Sequence, residues 1–322
     1  MQTLLKKTQA YTLLKNEGKS NRFGHAYLLL LDDARNLRFA LKTFAKLFFN
    51  CADDLSPEKS RIARLIDEES FSDCIMFPAE GKKLSVEDVE KIREESMLEP
   101  IESEKKLFLL GDFAEANIQT QNKLLKLLEE PPKSVRFLIG ATSVFPVLPT
   151  VLSRTKKLEI LPFGLEETAD CLARMYKDGY DRQTLSLCAA ASGGNVGGAQ
   201  NILEGGHYKT LSEYAFELCT TPLYSLPITV RKIGESKRQK ELLSLLRIIF
   251  RDALLLKTQA RAANYLLLKA EKAKLLSVAK QYSTEALLYA QEALSEAELQ
   301  VSFNAVFPQC IELCIAKIRS KN

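Results

Sequence analysis

Histidine is scarce, with only His25 and His207 in 322 residues, so a His-based metal site or a His-activated nucleophile is nearly excluded. Cysteine is present but unorganised. The seven cysteines are an odd, scattered set, and Cys310 and Cys314, which share a helical face, have no third or fourth ligand near them in sequence. They read as buried small hydrophobes. No run of apolar residues nears the ~20 that span a bilayer, and MQTLLKKTQAYTLLK contains no secretory core. The expected compartment is therefore the cytoplasm, with reduced thiols and no membrane contact. Excess charge is also small: 45 Lys and Arg against 41 Asp and Glu leave a net of +4. That balance lacks the dense basic stripe of a dedicated DNA reader.

With 46% hydrophobic and 27% charged residues, the chain has ample core, and its length suits two or three domains. Gln2 to Gly18 predicts one helix with Leu4, Leu5, Leu13 and Leu14 inward. HAYLLLL, from His25 to Leu31, predicts a central parallel strand with His25 as a structural residue at its start. Leu37–Asn50 and Pro57–Asp67 predict helices, and Cys74–Phe77 a short strand. Ser85 to Leu98 predicts a helix with Ser85 as cap and Asp88 at the capping-box position.

The most informative stretch runs from Lys105 to Thr155. Lys106 to Leu110 predicts a buried strand stopped by Gly111-Asp112. Asn117 caps a helix striped by Leu124, Leu125, Leu127 and Leu128, and Pro131-Pro132 end it. Val135–Ala141 predicts another strand, followed by a loop with a prolyl turn through LPTVLSRT, Leu148 to Thr155. Lys156–Pro162 supplies a fifth strand. Five strands with intervening helices predict a three-layer parallel α/β domain. Beyond it, Glu167–Tyr176, Asp181–Ala191 and Val196–Leu203 predict three short helices, Gly205-Gly206 a boundary, and Lys209 onward a wholly helical region. In that region Pro222 and Pro227 are breaks, and Glu241–Ala260, Glu285–Leu299 and Phe307–Arg319 are long helices.

NKLLKLLEEPP followed by LPTVLSRT resembles the clamp-loader branch of the AAA+ family, strongly over residues 1 to about 205 and by architecture beyond. The resemblance implies an AAA+ core over residues 1–163, a helical lid over 164–206 and an oligomerising collar over 207–322. It also implies a replication complex: a heteropentamer with gamma/tau and delta subunits that loads a sliding clamp on primed DNA.

Set against that family, the chain has selective losses. Where an ATP-binding member carries Gly-x-x-Gly-x-Gly-Lys-Thr, Asp32 to Arg38 contain no glycine, lysine or hydroxyl residue. Gly111 stands at the Mg²⁺-holding carboxylate, Asp112 at the water-orienting one, and Thr142 at the phosphate-sensing polar residue. Gly197 replaces the nucleotide-reaching arginine of the lid. Some members have a four-cysteine zinc module where this chain has Cys51 alone. Neither a bound nucleotide nor a metal is expected. One candidate for chemistry remains: Arg154, flanked by Ser153 and by Thr155 where the family has Cys. The resemblance implies that this arginine is offered across a subunit interface to a neighbour's ATP, a task suited to a permanently charged planar fork. A structural ion pair is the alternative role. The expected function is a stator that does not hydrolyse ATP itself. The rival readings are a divergent gamma/tau-type ATPase that still binds nucleotide and a non-catalytic helical adaptor.

Overall fold

The computed structural model describes residues 1–20, 22–53, 56–206, 208–234, 238–259, 265–303 and 305–322. His207 and Ala260 lie outside them. The chain divides into two units, Met1–Pro162 and Phe163–Asn322.

The first unit opens with two helices where the sequence predicts one: α1 (Gln2–Lys6) and α2 (Gln9–Lys19). Thr8 makes the break. Its hydroxyl donates to the Leu5 carbonyl at 2.7 Å and accepts from the Tyr11 N–H at 3.2 Å, ending one helix and capping the next. The offset turns Leu13 outward, 52% exposed, and brings Ala10 and Tyr11 into the core in its place. Then follow β1 (Ala26–Leu31), α3 (Ala34–Phe48), α4 (Pro57–Asp67), β2 (Cys74–Phe77) and α5 (Val86–Ser96). α3 begins three residues earlier than the apolar pattern indicates, because Asp33 caps it. The Ser85–Asp88 capping box is formed in both directions.

β3 (Lys106–Asp112), α6 (Ile118–Glu129), β4 (Val135–Ala141), α7 (Pro149–Leu152) and β5 (Lys156–Ile160) complete the unit. β3 does not stop at Leu110; it runs through Gly111 to Asp112 with a register shift against β4. The prolyl loop contains a single helical turn, with Pro149 supplying the fixed φ of its first position.

All strand pairs are parallel, in the order β2-β3-β4-β1-β5. Alternation sorts their side chains into two apolar faces. Leu28, Leu30, Phe108, Leu110, Phe137 and Ile139 share one core with Val89 and Ile92 of α5, Leu124 and Leu128 of α6, and Val151 of α7. The opposite face meets α3, whose Leu37, Leu41 and Phe44 are buried. This is the expected three-layer parallel α/β arrangement.

The segment after α3 is held without any cysteine cluster. Lys46 reaches Asp67 at 2.7 Å, Lys6 and Lys15 both reach Asp53, and Phe49 meets Phe71 edge-on at 5.1 Å. Burial pushes the Cys51 thiol up to about 11 and the Cys74 thiol further, so both pack as protonated small groups at neutral pH.

The second unit is helical: α8 (Leu165–Tyr176), α9 (Arg182–Ala191), α10 (Val196–Glu204), α11 (Tyr208–Thr220), α12 (Leu226–Gly234), α13 (Gln239–Thr258), α14 (Lys272–Gln281), α15 (Thr284–Ser302) and α16 (Phe307–Arg319). Pro222 separates two helices, but Pro227 does not; it is the second residue of α12, where a missing N–H costs nothing. One apolar core runs from Leu172, Ala189 and Ile202 through Leu245, Ile249 and Phe250 to Leu287, Ile311 and Ile315. It passes through Gly205-Gly206 without a gap. Asp252, fully buried, accepts the N–H groups of Leu267 and Leu268 at 2.8 and 2.9 Å and so fixes the segment leading to α14. Burial raises its carboxyl above the ordinary range.

Candidate functional site

In a parallel α/β sheet, ligands gather where strands end and helices begin. At the end of β1 the residue that fills this position is acidic. Asp33, 4% exposed, accepts the Asn36 N–H at 3.1 Å through Oδ1 and the Asn36 Nδ2 at 2.8 Å through Oδ2. The first turn of α3 thus directs a donor at its own carboxylate, where a phosphate would need both that donor and the space. Asp33→Ala is expected to cost about 1 kcal/mol of stability, the usual value of a lost cap. It should gain no affinity for ATP, since glycines and lysine are still lacking. Denaturant unfolding and a nucleotide titration check the two halves of that expectation.

Two strands over, Asp112 and Thr142 do come together, but as a closed pair. Asp112 Oδ2 accepts the Thr142 hydroxyl at 2.7 Å, and Oδ1 accepts the N–H groups of Thr142 at 3.0 Å and Ala114 at 3.2 Å. A carboxylate with these three donors is committed to tying β4 to the end of β3. Gly111 supplies no ligand, and a Cβ there would press on its neighbours, 3.2 Å from Pro78 Cδ and 3.5 Å from the Phe77 carbonyl. In the second unit Asn195 caps α10 by accepting the Gly198 N–H at 2.7 Å, and Gly197 is buried in the first turn. Among the described residues, no three His, Cys, Asp or Glu side chains converge. These groups do not fit a nucleotide or its Mg²⁺.

Arg154 stands just past α7. Its Nη1 donates to the Thr150 carbonyl at 2.9 Å and to Ser153 Oγ at 3.2 Å, while Nη2 lies 2.6 Å from Glu129 Oε1 at the end of α6. The side chain is 33% exposed and that of Glu129 47%, so the pair is at the surface and not in the core. Ser153 and Thr155 are brought beside it, yet both hydroxyls serve the turn. Ser153 donates to the Thr150 carbonyl at 3.1 Å and Thr155 to the Val151 carbonyl at 3.1 Å.

Gln121 is a site residue that the sequence reading passes over. Buried to 1% exposure, it donates through Nε2 to the carbonyls of Ala116 at 3.0 Å and Pro146 at 2.9 Å. Its Oε1 accepts the Leu148 N–H at 2.9 Å. Its bonds to Pro146 and Leu148 fix the entry to α7, and with it the position of Arg154, while the bond to Ala116 ties the same side chain to the lead-in of α6. The available signal was its spacing: Gln121 falls on the same helical face as Leu124 and Leu128, and a polar residue on a buried face requires partners.

A cavity of about 360 Å³ belongs to the helical unit and is lined by Leu165, Thr184, Leu187, Tyr208, Leu266 and Lys269 among others. None of the residues above contributes to it.

Comparison with known proteins bears on the first unit. Residues 6–164 match the family model described as DNA polymerase III, delta subunit. The Haemophilus influenzae DNA polymerase III subunit tau/gamma is 29% identical over 160 residues, which is 49% of this chain and 23% of that protein. The Bacillus subtilis DNA polymerase III subunit delta' is 27% identical over 161 residues, 50% of this chain and 49% of that protein. The gamma subunit of Buchnera aphidicola subsp. Baizongia pistaciae is 26% identical over 161 residues, 48% and 43%. The chain thus spans less than half the length of these curated relatives. Among solved structures, a Thermotoga maritima DNA polymerase III gamma subunit-related protein is 16% identical, with a TM-score of 0.43 over 98% of this chain and 99% of that one.

Proposed function

We propose that this chain, whose residues 6–164 match the DNA polymerase III, delta subunit family model, is a clamp-loader subunit that acts as a delta-prime-type stator. In this reading it joins gamma/tau and delta subunits in a heteropentamer that loads the sliding clamp on primed DNA. It hydrolyses no ATP itself. It contributes Arg154 to the ATP held by the adjacent subunit, residues 164–206 serve as a lid-like segment, and residues 207–322 serve as the collar.

The observation that carries the reading is a contrast. Every position at which an active relative would touch its own nucleotide is either spent inside the chain or emptied of function: Asp33 on α3, Asp112 on Thr142, and glycine at 111 and 197. Arg154, in the retained LPTVLSRT motif, stays at the surface on a brace built by Gln121. Its ion pair with Glu129 is compatible with this role, because surface pairs of this kind hold weakly and exchange with solvent.

Two measurements test the proposal. Titrating the isolated chain with ATP and Mg²⁺ should leave its melting temperature unchanged, since a ligand that binds the native state must raise it. A concentration-dependent rise would favour the divergent ATPase. Mixing the chain with cognate gamma/tau and delta subunits should give one complex of pentamer mass that includes it. A chain that stays monomeric in the mixture sinks the stator.

A further inference from the structure

Arg154 is held on two sides, and the two differ in kind. Nη1 is tied to its own turn, through the Thr150 carbonyl and the Ser153 hydroxyl, both neutral acceptors that travel with the backbone of α7. Nη2 is tied elsewhere, to the carboxylate of Glu129 on the last residue of α6. Glu129 is itself well placed: Pro131-Pro132 end the helix just beyond it, and Leu127 and Leu128 anchor the last turn in the core. The next two cations along the chain are engaged with other acids, Lys156 with Glu17 and Lys157 with Glu159. The Glu129 carboxylate therefore faces Arg154 as its charged partner.

An anion approaching Arg154 from outside need not disturb the Nη1 contacts. It has to take the place of one carboxylate oxygen at Nη2. A phosphate presents several oxygens to a guanidinium and a higher charge, so it wins that exchange while Glu129 returns to solvent.

Building on the trans role of Arg154 proposed above, we propose that Glu129 is a positioning residue that competes with the neighbouring subunit's triphosphate for Nη2. It keeps the guanidinium aimed and occupied in the free chain and yields it on assembly. Replacing the carboxylate should then make the adjoining site bind ATP more tightly without altering the chemical step. Exposed pairs of this type shift equilibria by about 1.4- to fivefold, which sets the expected size.

The test uses the assembled complex with four versions of this chain: wild type, Glu129→Gln, Arg154→Ala and the double variant. The readout is the part of ATP turnover that Arg154→Ala removes. For that part, Glu129→Gln is expected to lower KM about 1.4- to fivefold with kcat retained. The matching gain in ATP affinity, read by titrating each complex with a fluorescent ATP analogue so that it is measurable where turnover is lost, should vanish in the Arg154→Ala background, as a shared interaction requires. An unchanged KM overturns the proposal. So does a fall in kcat, which would make Glu129 an aid to the reaction and not a competitor, and so does a shift that persists without Arg154. If Arg154→Ala itself leaves turnover untouched, the trans role fails and this proposal falls with it. A KM unaffected by Glu129→Gln beside a damaging Arg154→Ala sinks the competition alone.

Discussion

In the complex proposed above, Arg154→Ala is expected to silence the ATP site that would adjoin this chain while leaving the complex intact. An arginine supplied in trans accelerates phosphoryl transfer by about 10³–10⁵ where GTPases have been measured, and the lower figure already corresponds to about 4 kcal/mol of barrier. A site slowed that far contributes nothing measurable, so total turnover should drop by its share. Assembly should survive because Arg154 is a partly exposed side chain whose neighbours satisfy one another. Ser153 and Thr155 bond the carbonyls of their own turn, and Gln121 fixes α7 without its help. Arg154→Lys is expected to rescue little, because an ammonium is a point charge and lacks the fork that spans two phosphate oxygens. Turnover in the presence of clamp and primed DNA, with complex mass measured alongside, decides the matter. Full turnover in an intact Arg154→Ala complex would favour the helical adaptor.

The second large effect is on stability. Gly194 has φ +87°, a region that side chains avoid, and a Cβ placed on it would lie 2.1 Å from the Phe163 carbonyl oxygen. No rotamer relieves that contact, since the obstacle is backbone and is itself held: the Phe163 N–H donates to the Gly194 carbonyl at 3.2 Å. Gly194→Ala must therefore move the chain at the entrance to α8 or lose the packing of α9 and α10. A loss of about 4 kcal/mol or more is expected, at the extreme of single substitutions, with a melting point lower by about 10 °C or more for a unit of this size. Gly193 is the internal control. It also has positive φ, +62°, but its Cβ would meet only Ser244 Oγ at 3.5 Å. Gly193→Ala should cost about 1–2 kcal/mol, the left-handed penalty alone. Equal and small losses in the two variants would show that the Phe163 contact yields easily.

What the sequence disclosed and what it withheld follow a physical rule. Elements specified by local chemistry were readable. Ser85 and Asp88 satisfy each other within one turn, Asn117 caps α6 three residues from its donor, and Pro131-Pro132 forbid continuation. The buried strands were readable too, because each is a short apolar run of fixed period. The errors came where two local signals compete. Thr8 is an acceptable residue inside a helix and a better one at its start, and only the packing of Tyr11 against Phe44 selects the break. Asp33 was legible as a carboxylate in the wrong place for phosphate, but its service as the cap of α3 was not, because the apolar pattern begins later. The pairing of Asp112 with Thr142 spans 30 residues, and that of Gln121 with Leu148 spans 27. Such bonds depend on strand register, which no linear pattern records. Arg154 was found by its motif alone; that Glu129, in the neighbouring motif, holds it came from the fold.

The unbroken core of the second unit has a mechanical consequence. Leu172, Leu185 and Ile202, from the three helices before Gly205, are sealed into the same apolar interior as Leu245, Ile249 and Phe250 after it. Tilting one group against the other would expose several large side chains, each worth about 1.5–3 kcal/mol when fully wetted. Thermal energy does not supply that. The three helices before Gly205 are thereby held by the bundle that follows them, and the described helices after Pro162 resist internal tilting as one body.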